Sequence, residues 1–128
     1  PEVSSVRDSD RIIGLLDSKT VKAEKGERID KHLLITRYEP SRANRGEMLS
    51  IDDVLEILSI PLIGIVPESE DVLRASNLGT PVPLSNAESA PARAYFDAAR
   101  RLCGESIEMT IPSERKGLFN KLFGRRAA

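Results

Sequence analysis

Apolar and polar positions along this chain change period several times, and each change marks an element. From 4 to 19, Val6, Ile12, Ile13, Leu15 and Leu16 recur at helical spacing; Ser4 or Ser5 is placed to cap the segment and Asp8 lies in its first turns. Charged residues without a period, together with Gly26, make Val21 to Lys31 a loop. His32 to Tyr38 is a nearly continuous apolar run closed by Pro40, which predicts a strand. Ser41 to Met48 is a second polar loop, and Ser50 with Asp53 then predicts a capped helix over 51–58, its Val54, Leu55, Ile57 and Leu58 turned inward. Pro61 to Pro67 is the second strand. Ser69 caps a helix to about Asn77, with Glu70 and Asp71 where acids suit the helix dipole and Gly79 as its stop. Pro81-Val82-Pro83 is expected to be extended. Ser89 and Pro91 begin a last helix, whose Tyr95, Ala98, Ala99 and Leu102 keep helical spacing until Gly104.

This order is α/β and predicts parallel strands. Both strands lack the alternation of a half-exposed strand, the mark of strands covered on both faces. Two such strands do not make a stable sheet unaided, since sheets usually hold about five or six. The fold class read from the pattern is therefore half of a doubly wound, mainly parallel sheet with helices on both faces.

The pattern changes once more at the end. Residues 105–113 read as a linker, and 114–128 as an amphipathic segment in which Leu118, Phe119, Leu122 and Phe123 cover one side of a helix. At about 100° per residue they span an arc of roughly 140°. Lys121 and Arg125 fall on the other side, with Lys116 and Asn120 near the boundary. From Glu114 onward there are five basic residues against one acidic, whereas the rest of the chain holds 14 against 19. Greasy and basic residues gathered in this way predict a helix lying in an anionic membrane surface. The competing reading is an amphipathic helix docked on its own protein. Each basic residue near an anionic leaflet contributes about 1 kcal/mol, and ordering a helix costs about 1 kcal/mol per residue. One copy is thus a weak, reversible anchor, and two on a dimer hold far better because the second attachment is intramolecular.

Composition adds limits. The 128 residues, 40% hydrophobic, suffice for one domain, and a net charge of −1 argues against a general nucleic-acid binder. A lone cysteine, Cys103, forms no internal disulfide, which suits a reducing cytoplasm. No apolar run reaches the roughly 18 residues of a membrane span. No signal peptide is visible, and the chain opens at Pro1 without Met.

Chemical motifs are sparse. There is no G-x-x-x-x-G-K-[ST], no G-x-G-x-x-G, no G-x-S-x-G and no His/Cys cluster at metal-ligand spacing. No catalytic residue and no metal ligand is assigned. His32 reads as structural, and Cys103 as a small core residue at a helix end. Position still says something, because ligands of open parallel sheets sit beyond the carboxyl ends of strands. Those ends are Thr36-Arg37-Tyr38 and Pro67-Glu68-Ser69, for which ordinary loop chemistry, with Pro67 as strand stop and Ser69 as helix cap, is the competing account.

Several stretches together carry a resemblance. Pro1 to Arg11, the strand ending Leu34-Ile35-Thr36-Arg37-Tyr38, Met48 to Leu58, Ile65-Val66-Pro67-Glu68, Leu73 to Asn77 and Lys116 to Gly124 follow one another as they do in the ParA/MinD family of deviant Walker A ATPases. The chain resembles the C-terminal half of its septum-placing branch. That resemblance implies residues 1–104 as part of a P-loop NTPase-type ATPase domain, 105–113 as a linker and 114–128 as a membrane-targeting helix. It implies ATP with Mg as cofactor, an ATP-dependent homodimer, MinC and MinE as partners, no nucleic acid, and residence on the cytoplasmic face of the inner membrane. By position, Glu2, Thr36, Arg37, Pro67 and Glu68 are expected near nucleotide; Ser4, Asp8 and Asp10 at partner contacts; and Arg115, Lys116, Leu118, Phe119, Lys121, Leu122, Phe123, Arg125 and Arg126 at the membrane. The family's phosphate loop, magnesium ligand and switch carboxylates belong to the half that this chain does not match. Two other assignments remain open: a sister partition ATPase that binds DNA, and a membrane adaptor that keeps the shape without the chemistry.

Overall fold

A computed structural model describes residues 1–113; the expected membrane segment lies outside the described residues. Two parallel strands form its centre, β1 (Leu33–Tyr38) and β2 (Leu62–Pro67). They are joined by a short helical turn α3 (Pro40–Asn44) and the helix α4 (Ile51–Leu58). Before them come α1 (Val3–Ser18) and the turn α2 (Val21–Glu24). After them come α5 (Glu70–Asn77), the turn α6 (Val82–Ser85) and α7 (Ala90–Leu102).

The helices start where local hydrogen bonding requires. Ser50 forms a full capping box, its hydroxyl accepting from the Asp53 amide while the Asp53 carboxylate accepts from the Ser50 amide. A hydrogen bond donated by the Ser50 hydroxyl to the Asp53 carboxylate at 2.7 Å, and then the one from the Ser50 amide, hold that carboxyl below its ordinary pKa. Ser69 accepts from the Asp71 amide and Ser89 from the Ala92 amide, so α5 and α7 are capped as the sequence indicates. α1 departs from this. It begins one residue before Ser4, with Glu2 at the N-cap position and no side-chain cap, so neither Ser4 nor Ser5 caps it.

The sheet buries a different kind of surface on each side. Val6 of α1, Val54 and Leu58 of α4, and Met48 pack with Ile35, Tyr38 and Ile65 in one cluster. On the other side α7 lies against β2, and the approach is closest at Gly64, where a Cβ would stand 2.9 Å from Cβ of Ala98 and 3.0 Å from Cδ1 of Leu34. Only a residue without a side chain admits the helix there.

Some expectations fail on particular residues. The loops expected at Val21–Lys31 and Ser41–Met48 each contain a helical turn, α2 capped by Thr20 and α3 opened by Pro40, and Met48, in the loop after α3, is buried in the core. Pro81-Val82-Pro83 is not extended; Pro81 occupies the N-cap of α6 and Val82 is buried. Ile12, Leu15, Ile57 and Leu102 are each about half exposed or more, so helical spacing overstated the inward faces of α1, α4 and α7. Ala99 is exposed as well, and Cys103 is an exposed free thiol just past the end of α7.

Candidate functional site

The site is built at the carboxyl ends of the two strands, where a defect in β1 decides what points where. The register runs Leu34↔Gly64 and Ile35↔Ile65, then jumps to Tyr38↔Pro67. Arg37 absorbs the extra residue in a left-handed conformation at φ +55°, costly for a side chain other than Gly. As a result Thr36 and Arg37 are both exposed, and Tyr38 returns to the buried face of Ile35. Burial, helped by Asp52, pushes the Tyr38 phenol above its ordinary pKa, so it stays neutral.

Displaced in this way, Arg37 reaches Glu68 just beyond β2. Its Nε donates to Oε2 at 2.8 Å, and the Glu68 amide donates to the Tyr38 carbonyl at 3.0 Å, so the strand ends are joined by side chain and backbone together. The hydrogen bond that Arg37 donates to Glu68, then the charge of Glu68, raises the already high pKa of Arg37. Because the pair is open to solvent, it stabilises the fold little. Its effect is to set charge and shape at the mouth of a crevice.

Glu68 lies between two hollows. On the α1 side is a small one of about 200 Å³, lined by Glu2, Thr36, Arg37, Arg42 and Glu68. Glu2 accepts from Nη2 of Arg42 at 3.1 Å. On the α7 side is a crevice of about 1140 Å³, bordered by Tyr38, Pro67, Glu68, Ser69, Asp97 and Met109. Four of the five residues expected at nucleotide therefore share the small hollow, while Pro67 faces the large one. Ser4, Asp8 and Asp10 are all exposed on α1, but at about 100° per residue Ser4 and Asp8 share a face and Asp10 lies on another. Asp8 pairs with Arg11 at 3.6 Å.

Sequence reasoning missed two arginines here. Arg42, in a stretch whose pattern predicts a loop, stands on α3 and ties Glu2 and the Glu47 carbonyl together. Arg101, in the last turn of α7, would be read as a dipole complement; it donates to three backbone carbonyls. Neither carries a motif that could have revealed it.

Among the described residues no group of His, Cys, Asp and Glu is arranged to hold a metal ion, and no helix is long and apolar enough to cross a membrane.

No family model matches the chain. Individual proteins do. The chain is 56% identical over 127 residues to the septum site-determining protein MinD of Escherichia coli K12, covering 97% of this chain and 46% of that protein. Among solved structures, it superposes on a MinD cell division protein of Aquifex aeolicus with a TM-score of 0.73 at 39% identity, over 87% of this chain and 44% of that one. A MinC:MinD cell division protein complex from the same organism matches with a TM-score of 0.70 at 39% identity, over 91% and 43%. The chain spans about half the length of the curated relatives it matches. Its two-stranded sheet is thus a part of the α/β, P-loop NTPase-type fold of those relatives.

Proposed function

The chain is a homologue of roughly half of a septum site-determining MinD protein, and from that premise we propose that it is the C-terminal part of an ATPase that places the division septum. In this reading the whole protein dimerises with ATP, binds the cytoplasmic face of the inner membrane through residues 114–128, recruits MinC, and is released when MinE stimulates hydrolysis. The MinC:MinD relative supports the MinC partnership. The other steps rest on the family resemblance.

The observation that carries the assignment is the join at the strand ends. Arg37, Thr36, Glu68 and Glu2 converge on one hollow, and Pro67 and Glu68 border the adjoining crevice. Exposed polar side chains and strand-end backbone suit the base and ribose of a nucleotide. A triphosphate needs more: a glycine-rich cradle of amides, a lysine and metal-bearing oxygens. The described residues supply no such cradle. ATP, when bound, supplies the transferable phosphoryl group, and this chain's share is to hold the base end and contribute to the dimer face through Glu2. Ser4 and Asp8 offer partner contacts on one face of α1, and Asp10 offers one on another.

Two measurements test the reading. This chain by itself should show no tight ATP binding by calorimetry, and strong binding would overturn the assignment of its share. Replacing Phe119 and Phe123 by Asp should abolish co-sedimentation with anionic vesicles while leaving the circular dichroism of the body unchanged. A double variant that still pellets with lipid would sink the membrane role. Raising the salt should weaken the wild-type interaction, since exposed charges carry part of it.

A further inference from the structure

Residues 105–113 do not run free of the body. Gly104 turns the chain at φ +92° after α7, and Glu105 is held at the turn by its amide to the Arg100 carbonyl and its carboxylate to the Arg100 guanidinium at 2.7 Å. From there Ile107 and Met109 are half-buried while Glu108 and Thr110 are exposed, the alternation of an extended segment lying on a surface. Met109, Thr110, Pro112 and Ser113 then line the large crevice, across from Pro67, Glu68 and Ser69.

One side chain does most of the fastening. Arg101 donates from Nη1 to the Ile63 carbonyl at 2.8 Å, from Nε to the Ile107 carbonyl at 2.9 Å and from Nη2 to the Glu108 carbonyl at 2.6 Å. Ile63 has no register partner in β1, where the pairing passes from Leu33↔Leu62 directly to Leu34↔Gly64. Among the described residues no backbone–backbone hydrogen bond joins 106–113 to the sheet. The planar guanidinium fork stands in for that missing ladder, joining strand and segment through one residue.

We propose that residues 105–113 form a strap which Arg101 holds along β2 and delivers into the crevice wall, so that whatever fills the crevice resets the strap and the entry to 114–128. The reading of the crevice as a nucleotide site is taken from the proposed function; the fastening by Arg101 is independent of it. Arg101 is a positioning residue here. It also lines the crevice itself, and its fastening of 105–113 adds to that direct presence.

Hydrogen–deuterium exchange by mass spectrometry tests both parts, using the full-length protein with and without magnesium ATP. In the wild type, peptides covering 105–113 should exchange at least about tenfold more slowly than an unstructured chain. R101A should remove that protection while β1, β2 and α1 keep theirs. R101K retains the aliphatic stem and the charge, so it guards against simple misfolding; it should also fail, because an ammonium cannot span three carbonyls in the geometry of a fork. Added ATP should slow exchange of the strap in the wild type and leave it unaltered in R101A. The proposal is overturned if the strap exchanges equally in wild type and both variants, or if ATP protects 36–38 and 67–69 yet leaves 105–113 unmoved. ATP that protects none of these segments would instead remove the nucleotide reading, and the comparison of wild type with R101A and R101K would still decide whether the strap exists.

Discussion

On the α1–α4 side of the sheet, contact is made by volume: Val6, Val54, Leu58 and Met48 fill the space above Ile35, Tyr38 and Ile65. On the α7 side, contact is made by the lack of it, with Gly64 against Ala98 and with Ala92 wholly buried. The first arrangement tolerates loss badly because a removed methyl group leaves a cavity. The second tolerates gain badly because a backbone and a helix already touch. The difference matters for function because α7 must lie close enough for Arg101 to reach the Ile63 carbonyl. A side chain at 64 would move the helix and its fork together.

The comparison predicts opposite responses to substitution, beginning with the largest. Leu58→Ala on the filled side should cost about 3 kcal/mol in urea unfolding, as buried leucines do when the site cannot collapse. Gly64→Ala, adding one methyl group on the close side, should cost about 2 kcal/mol and should also loosen 105–113 in hydrogen exchange. If Gly64→Ala proved neutral, the close-contact account of α7 would be wrong. Ser50→Ala should cost about 1 kcal/mol through loss of the cap on α4, with no effect on the strap.

Acid should act on the filled side first. Hydrogen bonds from Ser50 hold the Asp53 carboxyl low, and those from Arg45 do the same for Glu47. A carboxyl whose pKa is depressed in the folded state contributes stability above its ordinary value and loses it as pH falls through the depressed one. Urea midpoints should therefore hold from neutrality to about pH 4 and fall below it. Ser50→Ala should flatten part of that fall.

The smallest expected change in stability is the most informative about the site. Arg37→Gly relieves a left-handed conformation and loses an ion pair open to solvent, two small effects of opposite sign. The urea midpoint should stay close to that of the wild type. Nucleotide affinity of the full-length protein should nonetheless drop. A variant with unchanged affinity would mean that the bulge in β1 serves folding alone.

How much of this was legible depended on whether the signal was local. Ser50, Ser69 and Ser89 could be read as caps because a cap and its amide lie within three residues. The strand cores could be read because β-branched and Leu residues dominate both runs, with Gly64 as the one break in β2. The inward residues of the helices were read too generously. Spacing says that Ile12 and Leu15 can share a face, not that another element arrives to cover it, and both remain exposed. The turns α2, α3 and α6 were missed because polar and Pro-containing stretches of four or five residues look alike whether they coil or turn. The strand ends at Tyr38 and Pro67 were legible from the apolar runs and the prolines that close them, but nothing in Thr36-Arg37 announced a bulge.

The sequence by itself determined the α/β order, the capped helix starts, the greasy cationic character of 114–128 and the kinship with MinD proteins, all properties of neighbouring residues or of their succession. The tertiary structure alone decided that Arg37 meets Glu68 across 31 positions and that Arg101 spans 38 to reach Ile63. Such pairings arise from where packing brings two strands and a helix together. A hydrogen bond between distant residues leaves no periodic trace in either segment, because only the fold sets their separation.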